Sequence, residues 1–158
     1  MNISSVLLWG FVATVVQSIT MASCQRLGYT RMSIPFLLGT MVTPNRDRAM
    51  LLGLLLHMMN GFLFAIVYAL AFESWHLATW WLGAGIGLVH VLFVLTVGMP
   101  VVPAVHPRMV SEYFGPTPNR QLQPPGFLAL NYGRRTPVVA LVSHLLFGAI
   151  LGAFYRLG

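Results

Sequence analysis

The chain has 158 residues, of which 57% are hydrophobic and 8% are charged, and its mean hydropathy is +0.77. An ordinary soluble domain carries roughly 25% charged residues, so this composition excludes a soluble fold in which polar surface encloses the core. The net charge of +6 comes from arginine, because the chain has no lysine and only three acidic residues. The single cysteine, Cys24, excludes an internal disulfide and a cysteine-based metal site.

The apolar residues fall into four runs, each long enough to cross a bilayer as an α-helix of about 20 residues. The second run follows Arg46-Asp47-Arg48, and the third opens near Trp80, a residue type enriched at membrane interfaces. The four runs cover residues 3–23, 49–72, 77–102 and 137–155. The sequence therefore predicts one all-α domain over residues 1–158 with four transmembrane helices.

Arginine is concentrated in two of the connections between these runs. Eight of the nine arginines lie within residues 24–48 and 103–136. Because arginine-rich loops remain in the cytoplasm, we expect both connections there and both chain termini outside. The arginines nearest the second and fourth spans are expected to bind anionic lipid head groups; these are Arg46, Arg48, Arg134 and Arg135. The membrane accounts for the basic charge, so we expect no nucleic-acid partner.

The connection over residues 103–136 is rich in proline and in aromatic residues. Its six prolines exclude a long regular helix, whereas aromatic side chains are uncommon in solvated linkers. The aromatic residues are Tyr113, Phe114, Phe127 and Tyr132. We expect an ordered cap on the membrane surface, with a loose proline-rich loop as the alternative.

The second and fourth spans carry the same pattern when the sequence is aligned with itself at an offset of 87 residues. The matched residues are Arg48, Leu54, His57, Gly61, Tyr68 and Leu70 with Arg135, Leu141, His144, Gly148, Tyr155 and Leu157. Internal repeats of this kind occur in many membrane proteins. The repeat predicts two helix hairpins of the same topology, related by an axis along the membrane normal.

Small residues recur every four positions on the helix face that carries each repeated histidine. This spacing allows helix backbones to approach closely in lipid, and Gly83 and Gly87 give the third span the same spacing. The predicted helix-packing residues are Gly53, Gly61, Ala65, Gly83, Gly87, Ala140, Gly148 and Gly152.

His57 and His144 are the candidate functional residues. Each lies about 13 Å along the helix from an interfacial arginine, close to the middle of the hydrocarbon. An ionisable group at this depth is costly and therefore marks a functional candidate.

Three interpretations of this histidine pair stay open. In the first, neutral imidazoles hydrogen-bond to Gln17, Thr14 or Asn60 and fasten the bundle. In the second, the pair supplies the axial ligands of a b-type haem or another tetrapyrrole, and the glycines make room for the macrocycle; no separate metal site is predicted. In the third, the pair joins His90 in a polar pathway for a proton or metal ion.

Enzyme chemistry has little support in the sequence. The chain has no paired carboxylates, no His-Glu-x-x-His, no phosphate-binding glycine loop and no nucleophile elbow. We therefore expect a protein that is not an enzyme.

Several motifs together resemble those of small bacterial integral membrane proteins of unknown function. They are Leu38-Gly39-Thr40, His57-x-x-Asn60-Gly61, His106-Pro107-Arg108, Pro125-Gly126-Phe127, Asn131 to Thr136, and His144-x-x-x-Gly148 with Tyr155. The resemblance implies a four-span fold in a bacterial inner membrane and brings no activity or cofactor with it.

A small bundle without catalytic groups is expected to work through partners. We expect an accessory or scaffold subunit of a larger complex, respiratory or photosynthetic. It would contact other membrane subunits or a second copy of itself through its glycine-lined helix faces and its arginine-rich cytoplasmic connections. The alternatives are a bis-histidine electron-transfer protein and a small oligomeric transporter or channel.

Overall fold

A computed structural model describes residues 1–111 and 113–158. It has six α-helices, and the described residues form only isolated β-bridges and no strand. The helices are α1 (Ile3–Arg26), α2 (Ile34–Val42), α3 (Arg46–Trp75), α4 (Trp80–Phe93), α5 (Met99–Val105) and α6 (Thr136–Phe154). A π-helical turn, Val94–Gly98, joins α4 and α5 into one span, and Phe127–Tyr132 form a 3-10 helix.

In the part of the chain that the structure describes, four helical segments are long and apolar enough to cross a membrane. They are Ile3–Arg26, Arg46–Trp75, Trp80–Val105 and Thr136–Phe154. Their outer surfaces expose many large aliphatic and aromatic side chains, as expected for helices that face lipid. The prediction of an all-helical, multi-pass membrane protein is confirmed.

Capping residues explain why the spans begin a few residues away from the predicted positions. Asn45 accepts a hydrogen bond from the Arg48 amide at 2.9 Å, so α3 begins before residue 49. Thr79 accepts one from the Leu82 amide at 3.4 Å, so the third span begins after residue 77. This span also continues to Val105, with Pro103 inside its last helix, so the predicted end at residue 102 is early.

The connection over residues 24–48 contains α2, which the prediction of a loop missed. Ser33 caps α2 by accepting a hydrogen bond from the Phe36 amide, and Pro35 lies in its first turn. α2 packs closely on α3, because a Cβ at Gly39 would overlap the backbone carbonyl of Ala49. Glycine at this position therefore allows the two backbones to touch.

The four spans alternate in direction and pack in a fixed order. α1 lies between α3 and α6, α4 packs on the other side of α6, and α2 covers α3. The core has two clusters. One surrounds Tyr68, Phe72 and Phe147, and the other, nearer the arginine-rich connections, surrounds Met21 and Val91.

Candidate functional site

A cavity of about 170 Å³ lies within the membrane-spanning part of the bundle, at the junction of the two core clusters. α1, α2, α3, α6 and the third span all contribute to its wall, which is mainly apolar. The polar side chains in the wall are Gln17, His57, Asn60, His90, Ser143 and His144. The π turn of the third span also lines the cavity, and π turns occur often at functional sites. We call this space the central cavity.

His90 is held by aromatic side chains from two neighbouring helices. Its ring stacks on Phe64 of α3 with the ring centroids 3.8 Å apart, and it lies edge to face with His144 of α6 at 4.8 Å. Its Nδ1 is 3.3 Å from the Tyr68 hydroxyl. The structure thus brings both repeated histidines to the central cavity, but the imidazole in contact with His144 is that of His90.

The carbonyl of Ala140 orients the His144 ring. His144 Nδ1 lies 2.8 Å from this oxygen, which can only accept, so Nδ1 carries the hydrogen. The Ser143 hydroxyl donates to the same carbonyl at 2.9 Å. In the neutral imidazole, Nε2 of His144 therefore keeps its lone pair for another partner.

Three polar side chains in the wall form no hydrogen bond with the described part of the chain: those of Gln17, His57 and Asn60. Gln17 is nevertheless only 6% exposed. The side chain of Thr14, another predicted histidine partner, instead donates to the Gly10 carbonyl of its own helix at 2.7 Å. The cross-helix bonds expected for His57 and His144 are therefore not formed within residues 1–111 and 113–158.

The central cavity is small for a tetrapyrrole. Its volume of about 170 Å³ is below the roughly 300–1,000 Å³ that pockets for drug-sized ligands provide. Among the residues that the structure describes, no group of three or more His, Cys, Asp or Glu side chains is placed to hold a metal ion. Of the two predicted ligands, His57 and His144, only His144 has within the described residues the outer hydrogen bond that usually orients an axial ligand.

The predicted small residues of the third span and α6 form a seam in which backbone meets backbone. A Cβ at Gly83 would overlap the Gly148 carbonyl, and one at Gly152 would overlap the Thr79 carbonyl. A Cβ at Gly87 would likewise overlap the carbonyl of His144. This seam therefore fixes the position of His144 against the third span.

The small residues of α3 contact two different elements. Gly61 faces the side chain of Thr14, and Ala65 lies against Gly10, both on α1. Gly53 faces the Pro35 carbonyl of α2.

Ala140 of α6, which the repeat matches with Gly53, lies buried in the core cluster around Met21. All eight predicted packing residues thus make contacts within the chain, which leaves none of these faces for a partner.

The arginine-rich connections bind each other through hydrogen bonds that the sequence analysis missed. His106 Nε2 donates to the Leu37 carbonyl at 3.0 Å, and Arg108 Nη1 donates to the Thr40 carbonyl at 2.6 Å. Both acceptors belong to α2, so the His-Pro-Arg motif holds this helix in place. The sequence offered a signal for this contact, because both the His106-Pro107-Arg108 motif and the Leu38-Gly39-Thr40 motif belong to the set that carries the resemblance to small bacterial membrane proteins.

The four arginines predicted to contact lipid head groups, Arg46, Arg48, Arg134 and Arg135, are all exposed near these connections. The guanidinium of Arg135 lies over the Tyr29 ring at 5.2 Å. They form a basic rim at one end of the bundle.

A second polar cluster lies at the opposite end of the bundle and was also missed. The Tyr155 hydroxyl donates to Glu73 Oε1 at 2.6 Å and accepts from the Asn2 amide at 3.0 Å. Glu73 lies in the last turn of α3, so this cluster ties together the ends of α1, α3 and α6.

Comparison with known proteins adds no assignment: no protein family, curated protein or solved structure matches the chain.

Proposed function

We propose that the chain is a non-enzymatic accessory or scaffold subunit of a larger complex in the bacterial inner membrane, respiratory or photosynthetic. In this proposal the arginine-rich end lies in the cytoplasm and both termini lie outside. The observation that carries it is the surface of the connections at that end, residues 27–45, 106–111 and 113–135, which we call the arginine-rich cap. The absence of catalytic motifs from the sequence supports a role in binding.

Hydrogen bonds between its two connections support the cap as a docking platform. The Arg31 amide donates to the Tyr132 carbonyl at 2.8 Å, and the Thr30 hydroxyl lies 2.8 Å from that of Thr136, the first residue of α6. Together with the bonds from His106 and Arg108 to α2, these contacts fix the conformation of the cap in the absence of a partner. A preformed surface loses less entropy on binding than a flexible loop does.

The outer surface of the cap has the composition of a protein interface. Tyr113, Phe114 and Phe127 are 85%, 50% and 61% exposed, and the guanidinium of Arg120 lies over the Phe114 ring at 4.5 Å. Aromatic residues and arginine are the residue types enriched at protein interfaces. The basic charge favours a partner with an acidic cytoplasmic face.

The contacts of the small residues support two hairpins related by the repeat. Within the first half of the chain, α3 uses Gly61 and Ala65 against α1. Within the second half, α6 uses Gly148 and Gly152 against α4. We propose that each pair is one hairpin and that α2 is an addition to the first.

Extraction of the native membrane with a mild detergent tests the accessory role. The wild-type chain is expected to migrate with a larger complex on a native gel. Replacing Tyr113 and Phe114 together by serine is expected to release it as a smaller species. Trp75→Ser is the matched control, because Trp75 is also an exposed aromatic residue but lies at the opposite end of the bundle.

Two results would contradict this proposal. One is recovery of the wild-type chain only as a free monomer at every detergent concentration that preserves its fold. The other is equal release by the Trp75 control, because the cap would then have no special part in assembly.

A bis-histidine tetrapyrrole protein is the second proposal. It is supported by the placement of His57 and His144 on one cavity wall and by the oriented imidazole of His144. The absorption spectrum of protein expressed with haem available is the test. A Soret band that disappears in both His57→Leu and His144→Leu would establish it, and its absence from the wild type would reject it.

A polar pathway for a proton or metal ion, in a small oligomeric transporter or channel, is the third proposal. It is supported by the contact between His90 and His144, with His57 on the same cavity wall. Ion flux into proteoliposomes is the test. His57→Ala is expected to abolish flux while the bundle remains folded, and unchanged flux would reject the pathway.

A further inference from the structure

The central cavity contains a buried polar group that nothing in the described chain satisfies. Gln17 is 6% exposed, and its amide has no hydrogen-bond partner within residues 1–111 and 113–158. The described residues include no fully enclosed side-chain polar atom that lacks a partner. The Gln17 amide atoms are therefore not fully enclosed, and Gln17 lines the central cavity. A molecule bound in the cavity can supply the hydrogen-bond partner that this amide lacks within the described chain.

The size and the wall of the cavity fit a single ring. A protein cavity of roughly 150 Å³ is sufficient to hold benzene, and the central cavity measures about 170 Å³. Phe64, Phe147 and the His90 ring all line it. Aromatic walls favour a flat, unsaturated occupant, which can stack against them or contact their edges.

The charge of the wall favours a neutral occupant. None of the described residues that line the cavity is Asp, Glu, Lys or Arg. Charged groups are expensive at the centre of a bilayer unless they are paired. Neither a metal cation nor an anionic molecule would find an opposite charge here.

The polar atoms of the wall match a ring that carries oxygen. The Gln17 amide offers both N–H donors and a carbonyl acceptor. His144 offers the Nε2 lone pair, because its Nδ1 already donates to the Ala140 carbonyl. A ring carbonyl suits the first group and a ring hydroxyl suits the second.

The wall of the cavity reaches the outer surface of the bundle at Asn60. Asn60 lines the cavity and is also exposed on the surface of α3, where its neighbours Met59 and Leu63 are 60% and 61% exposed. These apolar neighbours lie on a face that contacts hydrocarbon. A lipid-soluble molecule can therefore reach the cavity from within the membrane.

We propose that the central cavity binds the ring of a neutral, lipid-soluble molecule with oxygen substituents, the chemistry of a quinone head group. The ring lies among Phe64, Phe147 and His90, Gln17 donates to a ring oxygen, and the tail leaves beside Asn60. This site is separate from the arginine-rich cap, so it does not depend on the proposed accessory role.

Binding of decyl-benzoquinone to the purified protein in phosphatidylcholine nanodiscs tests this site. Saturable binding is expected, and Gln17→Leu is expected to weaken it about tenfold, the effect of losing one buried hydrogen bond. Gln25→Leu makes the same chemical change on α1 outside the cavity wall and should leave affinity unchanged. A photoreactive azido derivative should label residues of the wall near Gln17 and Asn60.

A second probe separates recognition of the ring oxygens from simple filling of an apolar space. Decylbenzene has the same ring and tail without oxygen, so it should bind at least about tenfold more weakly. Equal binding of both compounds, no saturable binding, or equal affinity in wild type and Gln17→Leu would each overturn the proposal. A Gln17→Leu protein that fails to fold would be replaced by Gln17→Met, with the same weakening expected.

Discussion

The two helices of the repeat, α3 and α6, carry the same spacing of histidine, glycine and tyrosine but have different neighbours at each position. His144 is bonded to the Ala140 carbonyl, whereas His57 has no partner among the described residues. Tyr68 contacts His90 within the bundle, whereas Tyr155 bonds to Glu73 near its end. A shared pattern therefore gave these helices similar faces without giving them similar contacts.

Helix length and α2 account for much of this difference. α3 runs on to Trp75, so its last turn supplies Glu73 to Tyr155, while α6 ends at Phe154 and supplies no acid in return. α2 packs mainly on α3. The positions 87 residues later form no matching α-helix, because residues 121–126 are irregular and residues 127–129 belong to the 3-10 helix. The first half of the chain thus contains a short helix packed on its repeat helix, α3, and the described part of the second half contains no equivalent helix on α6.

The two glycine contacts should differ most in their tolerance of a methyl group. Gly148→Ala places its Cβ against the Gly83 backbone, which cannot yield unless the helices separate, so a loss of about 3 kcal/mol or more is expected. Gly61→Ala meets the side chain of Thr14 and should cost roughly 1–2 kcal/mol. Unfolding in mixed micelles measures both changes.

A second substitution and a control distinguish these mechanisms. Thr14→Ala removes the atoms nearest to the new methyl group and should recover part of the stability lost in Gly61→Ala. Gly85→Ala should change stability by less than about 0.5 kcal/mol, because nothing lies near its Cβ position. Equal losses at Gly148 and Gly85 would contradict the close α4 to α6 seam.

The four spans were predictable because lipid imposes a simple physical requirement. Backbone groups must be satisfied within each segment and side chains must be apolar over about 20 residues, and such runs are visible without any knowledge of packing. α2 was not predictable in this way. It is a nine-residue helix that includes Pro35 and Gly39, and its stability depends on contact with α3.

The candidate site was predictable only in part, because a repeat indicates depth and face but not which helices meet. It led to His57 and His144, and both line the central cavity. It could not show that His90 would contact His144, since that depends on α4 packing against α6. The sequence indicates Gln17 only as a hydrogen-bond partner of the histidines. That its amide lacks a partner depends on how the neighbouring helices pack, which the sequence does not show.

The two repeated tyrosines should differ in their contribution to stability. Tyr68→Phe removes a 3.3 Å contact with a neutral ring and should cost about 0.5 kcal/mol. Tyr155→Phe removes a 2.6 Å bond to a carboxylate, and bonds to charged groups are about twice as strong as neutral ones. The loss in Tyr155→Phe should therefore be at least about twice as large in the same unfolding assay.

Glu73→Gln is the matched test of the charge in that bond. It keeps an acceptor for the Tyr155 hydroxyl but removes the negative charge, so it should have part of the effect of Tyr155→Phe. If Glu73→Gln has no effect while Tyr155→Phe is strongly destabilising, the hydroxyl of Tyr155, which also accepts from the Asn2 amide, would explain the difference between the helices without the charge of Glu73.

The packing of α2 on α3 should become less stable in acid, because the hydrogen bonds that hold α2 depend on a neutral His106. Burial and the nearby Arg108 lower the pKa of His106 below its usual value. Nε2–H of this histidine donates to the Leu37 carbonyl, and Nδ1 accepts from the Arg108 amide at 3.1 Å. Protonation removes that acceptor, and each lost bond is worth roughly 1 kcal/mol.

The sign of this effect follows from the lowered pKa. The stabilising contribution of His106 is complete above the ordinary histidine pKa of about 6.5 and declines as the pH falls below it toward the folded-state value. Hydrogen exchange should therefore show the amides of α2 less protected at pH 5 than at pH 7.5, with the amides of α6 changed less. His106→Gln can still donate to Leu37 but does not titrate, so it should remove the pH dependence specific to α2. If the pH dependence persists in the variant, another group causes it, and His106 does not control the packing of α2 on α3.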